Sequence, residues 1–297
     1  MPILGILASA KIAANPFFAA ARRATTIGAY STNGTSWTAS TLPLTRNWWK
    51  MRYGNGTYAM VADNPTADAA SSTDGITWTA RTMPASRDWG YGMAYGAGVF
   101  AVGAIATNAA ASSPDGITWT ARTLPTTADW YAMGFGGGTF ALIATASTTA
   151  ASSTDGTTWT SRTMVTASDW REIAYGGGVF VAVAATGTAA ASSTNGTTWT
   201  ARTMPISATW QGVAYGGGIF AAVAGVGTDA ASSTDGTTWT ARTLPTSNNW
   251  LSVAYSNGIF IATAYGTANA ASSPDGITWT SRTMPSSGNW YAIAGKN

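Results

Sequence analysis

Glu172 is the single glutamate in a chain that contains no histidine and no cysteine. General acid–base and metal chemistry draw first on histidine and thiolate chemistry on cysteine, so the reactive inventory reduces to carboxylates, arginines, tyrosines and hydroxyls. Five aspartates, Asp74, Asp115, Asp155, Asp235 and Asp275, recur in the pattern Ser-x-Asp-Gly-x-x-Trp, and Asn33 and Asn195 fill the same slot in two further copies. Asparagine keeps the side-chain acceptor and loses the proton, which a turn tolerates and a catalytic acid does not. Asp88, Asp129 and Asp169 share another slot, just before a second tryptophan, where Asn47, Asn249 and Asn289 stand elsewhere. That substitution pattern predicts loop capping. Glycoside hydrolysis needs two carboxylates in distinct environments, and the sequence marks no such pair, so the expectation is a chain without catalysis.

The arginines of "ART" or "SRT" (Arg81, Arg122, Arg162, Arg202, Arg242, Arg282) recur in six copies, with Ser40 in the remaining one. A repeated guanidinium can hold a sugar or carboxylate in each copy, or it can stack on aromatic groups and bond neighbouring loops. The bland role is the expected one.

All of these residues ride on one repeat. The first tryptophan recurs as Trp37, Trp78, Trp119, Trp159, Trp199, Trp239 and Trp279, and a second series follows eleven residues behind each. A period near 40 suits either a four-stranded propeller blade or a helical unit. Local chemistry chooses strands: Gly177-Gly178, Asn257-Gly258 and Asn55-Gly56 are tight hairpin turns between apolar runs, and "TTWTART" alternates with period two. Each unit therefore predicts four strands, with the Asp-Gly turn between the third and fourth.

The two ends of the repeat array complement one another. Asn15 to Trp37 aligns without gaps on Asn257 to Trp279 and supplies the last three strands of a unit, while "NWYAIAGKN" supplies a lone first strand. The predicted fold is an all-β, seven-bladed β-propeller over residues 15–297, closed by a composite blade. Residues 1–14, "MPILGILASAKIAA", fall outside it.

The turn "STDGTTW" resembles the Asp-box of BNR-type repeats, which occur in sialidases, photosystem II assembly factors and many other propellers. Its spacing is one residue shorter than the usual S-x-D-x-G-x-x-W. The resemblance implies a propeller and makes a sialidase-like hydrolase one functional class to weigh. The leading segment resembles the opening of bacteriophage virion proteins, often tail or appendage components. That resemblance implies docking to other virion proteins through Ile3, Leu4, Ile6 and Leu7.

Strand order puts the hairpin and Asp-Gly turns on one face and the more variable connections on the other. On the variable face, each second tryptophan is followed by Trp49, Gly90, Tyr131, Arg171, Gln211, Leu251 or Tyr291, with Lys50, Tyr91 and Glu172 close behind. These residues are expected to ring the channel mouth, where aromatic and hydrogen-bonding groups suit a sugar or a protein surface.

Composition narrows the classes further. Charged residues make up 9% of the chain, and its net charge of +3 is spread without a basic stripe, so nucleic acid is not an expected partner. No apolar run is long enough to span a bilayer. No cofactor and no metal are implied. The expected function is a virion surface or appendage protein that attaches to host surface or to neighbouring virion proteins and can assemble as a homo-oligomer. The alternative is a free, secreted multivalent glycan-binding lectin.

Overall fold

A computed structural model describes residues 18–296. Strands dominate, and they group into seven radial blades of four strands each. Blade 1 is composite: Trp290–Gly295 is its innermost strand, followed outward by Phe18–Arg22, Thr25–Ser31 and the first part of Thr38–Gly54. Phe18 pairs with Gly295 and Ala20 with Ile293, so the chain ends meet as the repeat alignment requires. Phe17 lies outside the described residues, as do the segment 1–14 and its Ile3, Leu4, Ile6 and Leu7.

The strand Thr38–Gly54 is shared between two blades. Thr38 to Arg46 is the outer edge of blade 1, and Asn47 to Gly54 is the innermost strand of blade 2, which continues through Thr57–Asp63, Thr66–Ser72 and Thr79–Arg87. Blades 3 to 7 begin at Gly92–Gly96, Trp130–Gly136, Trp170–Gly176, Trp210–Gly216 and Trp250–Ser256. Each innermost strand packs on the next, and the strand of blade 7 packs on Trp290–Gly295, so the ring closes.

The sequence explains both layers of this packing. Trp48, Trp89, Trp130, Trp170, Trp210, Trp250 and Trp290 are all fully buried at the blade roots. Six of these indoles donate to the backbone oxygen four residues earlier, as Trp290 does to Ser286 at 3.0 Å. The first tryptophan of each repeat falls just before its outermost strand, so that strand begins later than the alternating run "TWTART" read as the fourth strand, and the ring tilts against an aromatic of the second strand. At the hairpin turns both central residues have positive φ, including Ala97 at 48° and Asn257 at 41°, as a primed turn demands.

The Asp-Gly turns behave as structure. Asp155 Oδ1 accepts from the backbone N–H of Thr157 and Thr158, both at 2.8 Å, and from the Ser153 hydroxyl, while that hydroxyl accepts from Gly156 N–H. Asp74, Asp115, Asp235 and Asp275 repeat the arrangement. Asn195 reproduces it at 2.9 and 3.0 Å, as does Asn33, so the acceptor and not the charge is what the turn uses.

Candidate functional site

The channel mouth on the variable face is built by a bulge. In six blades the pairing register between the two innermost strands skips one residue immediately after the second tryptophan. A bulged residue leaves the ladder and re-aims its side chain. The skipped residues are Trp49, Tyr131, Arg171, Gln211, Leu251 and Tyr291. Blade 3 carries one extra residue, so Tyr91 and not Gly90 occupies the equivalent place, and Gly90 is pressed against Asp63, 2.6 Å from any added Cβ to the Asp63 Cβ.

These side chains form a continuous aromatic arc. Tyr265 meets Tyr291 edge-on at 6.0 Å, Tyr291 stacks on Trp49 at 4.1 Å, Trp49 tilts on Tyr91 at 4.7 Å, and Tyr91 on Tyr131 at 4.6 Å. Two cations lie against it: the Arg23 guanidinium stands 4.8 Å from the central Trp49 ring, and the Arg171 guanidinium caps the far end 4.7 Å from Tyr131. Arg171 is held in turn by Asp169. Gln211 and Leu251 complete the circle. The rings fill the mouth so well that the cleft between them measures about 30 Å³, against the several hundred of an enclosed ligand pocket. The mouth is a half-buried platform.

Arg23 is a residue the sequence reading did not single out. It sits in a loop of blade 1 at the repeat position of Tyr265, and it bonds Asp63 at 3.1 Å. Burial pushes the Asp63 carboxyl above its ordinary value, the Arg23 charge opposes this, and Asp88 adds to it. Burial likewise raises Asp88. Two carboxylates with raised affinity for protons thus gather beside Tyr91, and of the two only Asp88 belongs to the repeat slot expected to cap loops. The slot does cap loops as well: Asp129 Oδ1 accepts from Ala106 N–H and Asn289 Oδ1 from Gly266 N–H, both at 3.0 Å.

Glu172 is not a mouth residue, contrary to expectation. The bulge at Arg171 turns the next residue down the axis, and Glu172 is 8% exposed, below the aromatic arc. Its two oxygens accept from Lys50 Nζ at 2.5 Å and Arg52 Nη2 at 3.1 Å. Lys50 and Arg52 belong to blade 2 and Glu172 to blade 5, so this triad spans the channel. Burial lowers the Lys50 ammonium below the ordinary lysine value, and the Glu172 charge works against that shift.

The repeated arginines are anchored within their own blades instead of stacking on aromatic groups or bonding neighbouring loops. Nε of Arg81, Arg122, Arg162, Arg202, Arg242 and Arg282 donates to a serine hydroxyl on the adjacent third strand of its own blade, at 2.8 to 2.9 Å. Beside two of them lie equivalent rim clefts. In blade 2, Ser71, Ser72, Thr73, Asp74, Thr77 and Arg81 face about 260 Å³; in blade 5 the same positions, with Asn195 for Asp74 and Arg202 for Arg81, face about 420 Å³.

This architecture defines the class: the chain is a seven-bladed β-propeller. No family model matches the sequence, and no curated protein matches it. Solved structures do match in fold. Virginiamycin B lyase from Staphylococcus aureus aligns with a TM-score of 0.71 at 12% identity, over 80% of this chain and 84% of that one. YCF48 from Cyanidioschyzon merolae aligns with a TM-score of 0.63 at 13% identity, over 83% of this chain and 88% of that one. The expectation that such a ring carries no catalysis is thereby corrected, because the fold it shares houses a lyase. A catalytically inactive form of the staphylococcal lyase, solved with quinupristin, has a histidine replaced by alanine, and this chain contains no histidine.

Proposed function

We propose that this chain is a BNR-type propeller of a virion, a tail, appendage or surface-decoration protein that turns its variable face outward and attaches through the aromatic platform at the channel mouth to a host-surface glycan. The observation that carries this reading is the arc Tyr265–Tyr291–Trp49–Tyr91–Tyr131, with Arg23 over its central ring and Arg171 at its end. Stacked aromatics offer apolar faces to sugar rings, and their pre-ordering lowers the entropy lost on binding. The segment 1–14 and its virion-like text support attachment to a particle.

Full-length protein and its Trp49→Ala and Tyr291→Ala variants are to be compared for adsorption to host cells and on a glycan array. Each variant should bind at least tenfold more weakly, about 1.4 kcal/mol, with an unchanged melting curve. Undiminished binding by both variants overturns the platform. Absence of the chain from purified particles by mass spectrometry overturns the virion role.

A second reading, the free multivalent lectin, is favoured by the equivalent clefts of blades 2 and 5. It requires several sugar equivalents per chain by calorimetry and loss of sites on replacing Arg81 and Arg202 by methionine. One equivalent or none rejects it.

A further inference from the structure

Below the triad, toward the hairpin-turn face, the axis opens into a cavity of about 240 Å³. Its wall is made from the second halves of the innermost strands: Ala174, Ala214, Ala254 and Ala294 with Ile173, Val213, Val253 and Ile293, and tyrosines toward the rim. The charged groups that line it are Arg52 and Glu172.

The charges do not balance. Glu172 carries one negative charge and is shared by two cations, Lys50 from the mouth side and Arg52 from the cavity side. Lys296 adds a third positive charge at the rim, 5.7 Å from the ring of Tyr53, which itself lines the cavity. An uncompensated positive charge facing a cavity attracts an anion. Arg52 also has capacity to spare. Of the five N–H groups of a guanidinium, one bonds Glu172 and one the backbone oxygen of Met51.

We propose that this axial cavity is a binding site for a small organic monocarboxylate, whose carboxylate pairs with Arg52 and whose apolar part lies among the four alanines. The planar fork of an arginine matches a carboxylate in two parallel hydrogen bonds, and one negative charge restores neutrality to the triad. The volume lies just below the roughly 300 Å³ at which drug-sized ligand pockets begin and suits an acid of benzoate size rather than a sugar chain. This site is separate from the mouth platform, with the Lys50–Glu172–Arg52 triad between them.

Calorimetry of the full-length protein with benzoate, benzamide and inorganic phosphate tests it. Benzoate should bind with one equivalent per chain, and benzamide and phosphate should bind at least tenfold more weakly. Arg52→Gln should weaken benzoate about tenfold or more, the scale of one charge-assisted hydrogen bond. In the Lys50→Met/Glu172→Gln double variant the net charge of the cluster stays the same while Arg52 is freed from its internal carboxylate. Benzoate should then bind several-fold more tightly, a gain that damaged folding cannot mimic. No benzoate binding by the parent protein, equal binding of benzamide or phosphate, or a double variant that binds no more tightly than the parent each overturns the proposal.

Discussion

At the scale of single residues the ring is held in phase by an interlock of glycine and aromatic side chains. A Cβ at Gly176 would stand 1.9 Å from the Tyr215 ring, and Gly54, Gly96, Gly136 and Gly216 face Tyr95, Phe135, Tyr175 and Tyr255 in the same way. At the seam the pair is inverted. Ser256 takes the glycine slot and Gly295 the aromatic slot, and the Ser256 hydroxyl donates to the Lys296 backbone oxygen at 2.5 Å. The Asp-Gly turns lend themselves to a pH test. Backbone N–H groups of Thr158 and Thr157 hold Asp155 well below the ordinary carboxylate range, and those of Thr238 and Thr237 do the same for Asp235. A carboxylate depressed in the folded state contributes stability that is fully present above its unfolded value, near 4, and is lost as pH falls through the folded value. The melting temperature should therefore fall between about pH 4 and pH 2. An Asp155→Asn/Asp235→Asn variant should lose less over that interval while keeping its turns, because Asn33 and Asn195 already keep theirs. Parallel melting curves for parent and variant across the acid range would show that these turns carry none of the acid sensitivity.

At the scale of strands the critical pairing joins Phe18–Arg22 to Trp290–Gly295, since elsewhere each blade is built from one continuous run of chain. Ala20 sits fully buried in this ladder between Ala29 and Ile293. Proline there removes a ladder donor from a buried strand and leaves an acceptor unpaired, which should cost about 1–3 kcal/mol before any strain. The equivalent Ala262→Pro in blade 7 disturbs a blade whose strands remain tethered by short loops. Hydrogen exchange should therefore show Trp290–Gly295 losing protection in Ala20→Pro and keeping it in Ala262→Pro; equal protection in the two would mean that closure does not depend on this pairing. Strand order, hairpin turns and closure were legible in the sequence because they rest on local signals: turn residues with positive φ, period-two runs, and text at one end that completes a repeat begun at the other. The bulge after the second tryptophan of six blades was not legible. It lengthens no repeat, and only the register against the neighbouring strand reveals it.

At the scale of the whole molecule the contacts that matter join residues far apart in sequence, which is why the site was only half legible. The repeat positions Trp49, Tyr131, Arg171, Gln211 and Tyr291 could be read as one circle by counting, but the partners Arg23 with Asp63, and Lys50 and Arg52 with Glu172, meet only once the ring has closed. Glu172 drew attention as a rare acid; that two cations from blade 2 would span the axis to clamp it has no local signature. This strut makes a prediction about the ring itself. Removing one member of a buried ion pair leaves its partner uncompensated, which costs about 3–5 kcal/mol; without Glu172 both Lys50 and Arg52 lose their counter-charge, whereas replacing Lys50 as well leaves Arg52 alone without one. Glu172→Gln alone should therefore lower the denaturation midpoint more than the Lys50→Met/Glu172→Gln double variant, with a coupling energy of about 1–3 kcal/mol by double-mutant cycle. Partial escape is built in, because burial already favours the neutral form of Lys50 and the lysine can shed its proton once the carboxylate is gone. The Glu172→Gln penalty should accordingly shrink as pH rises, since the folded state then no longer has to hold the ammonium. A penalty that stays constant with pH, or single variants whose effects simply add, would mean that blades 2 and 5 are held across the axis by packing and not by charge.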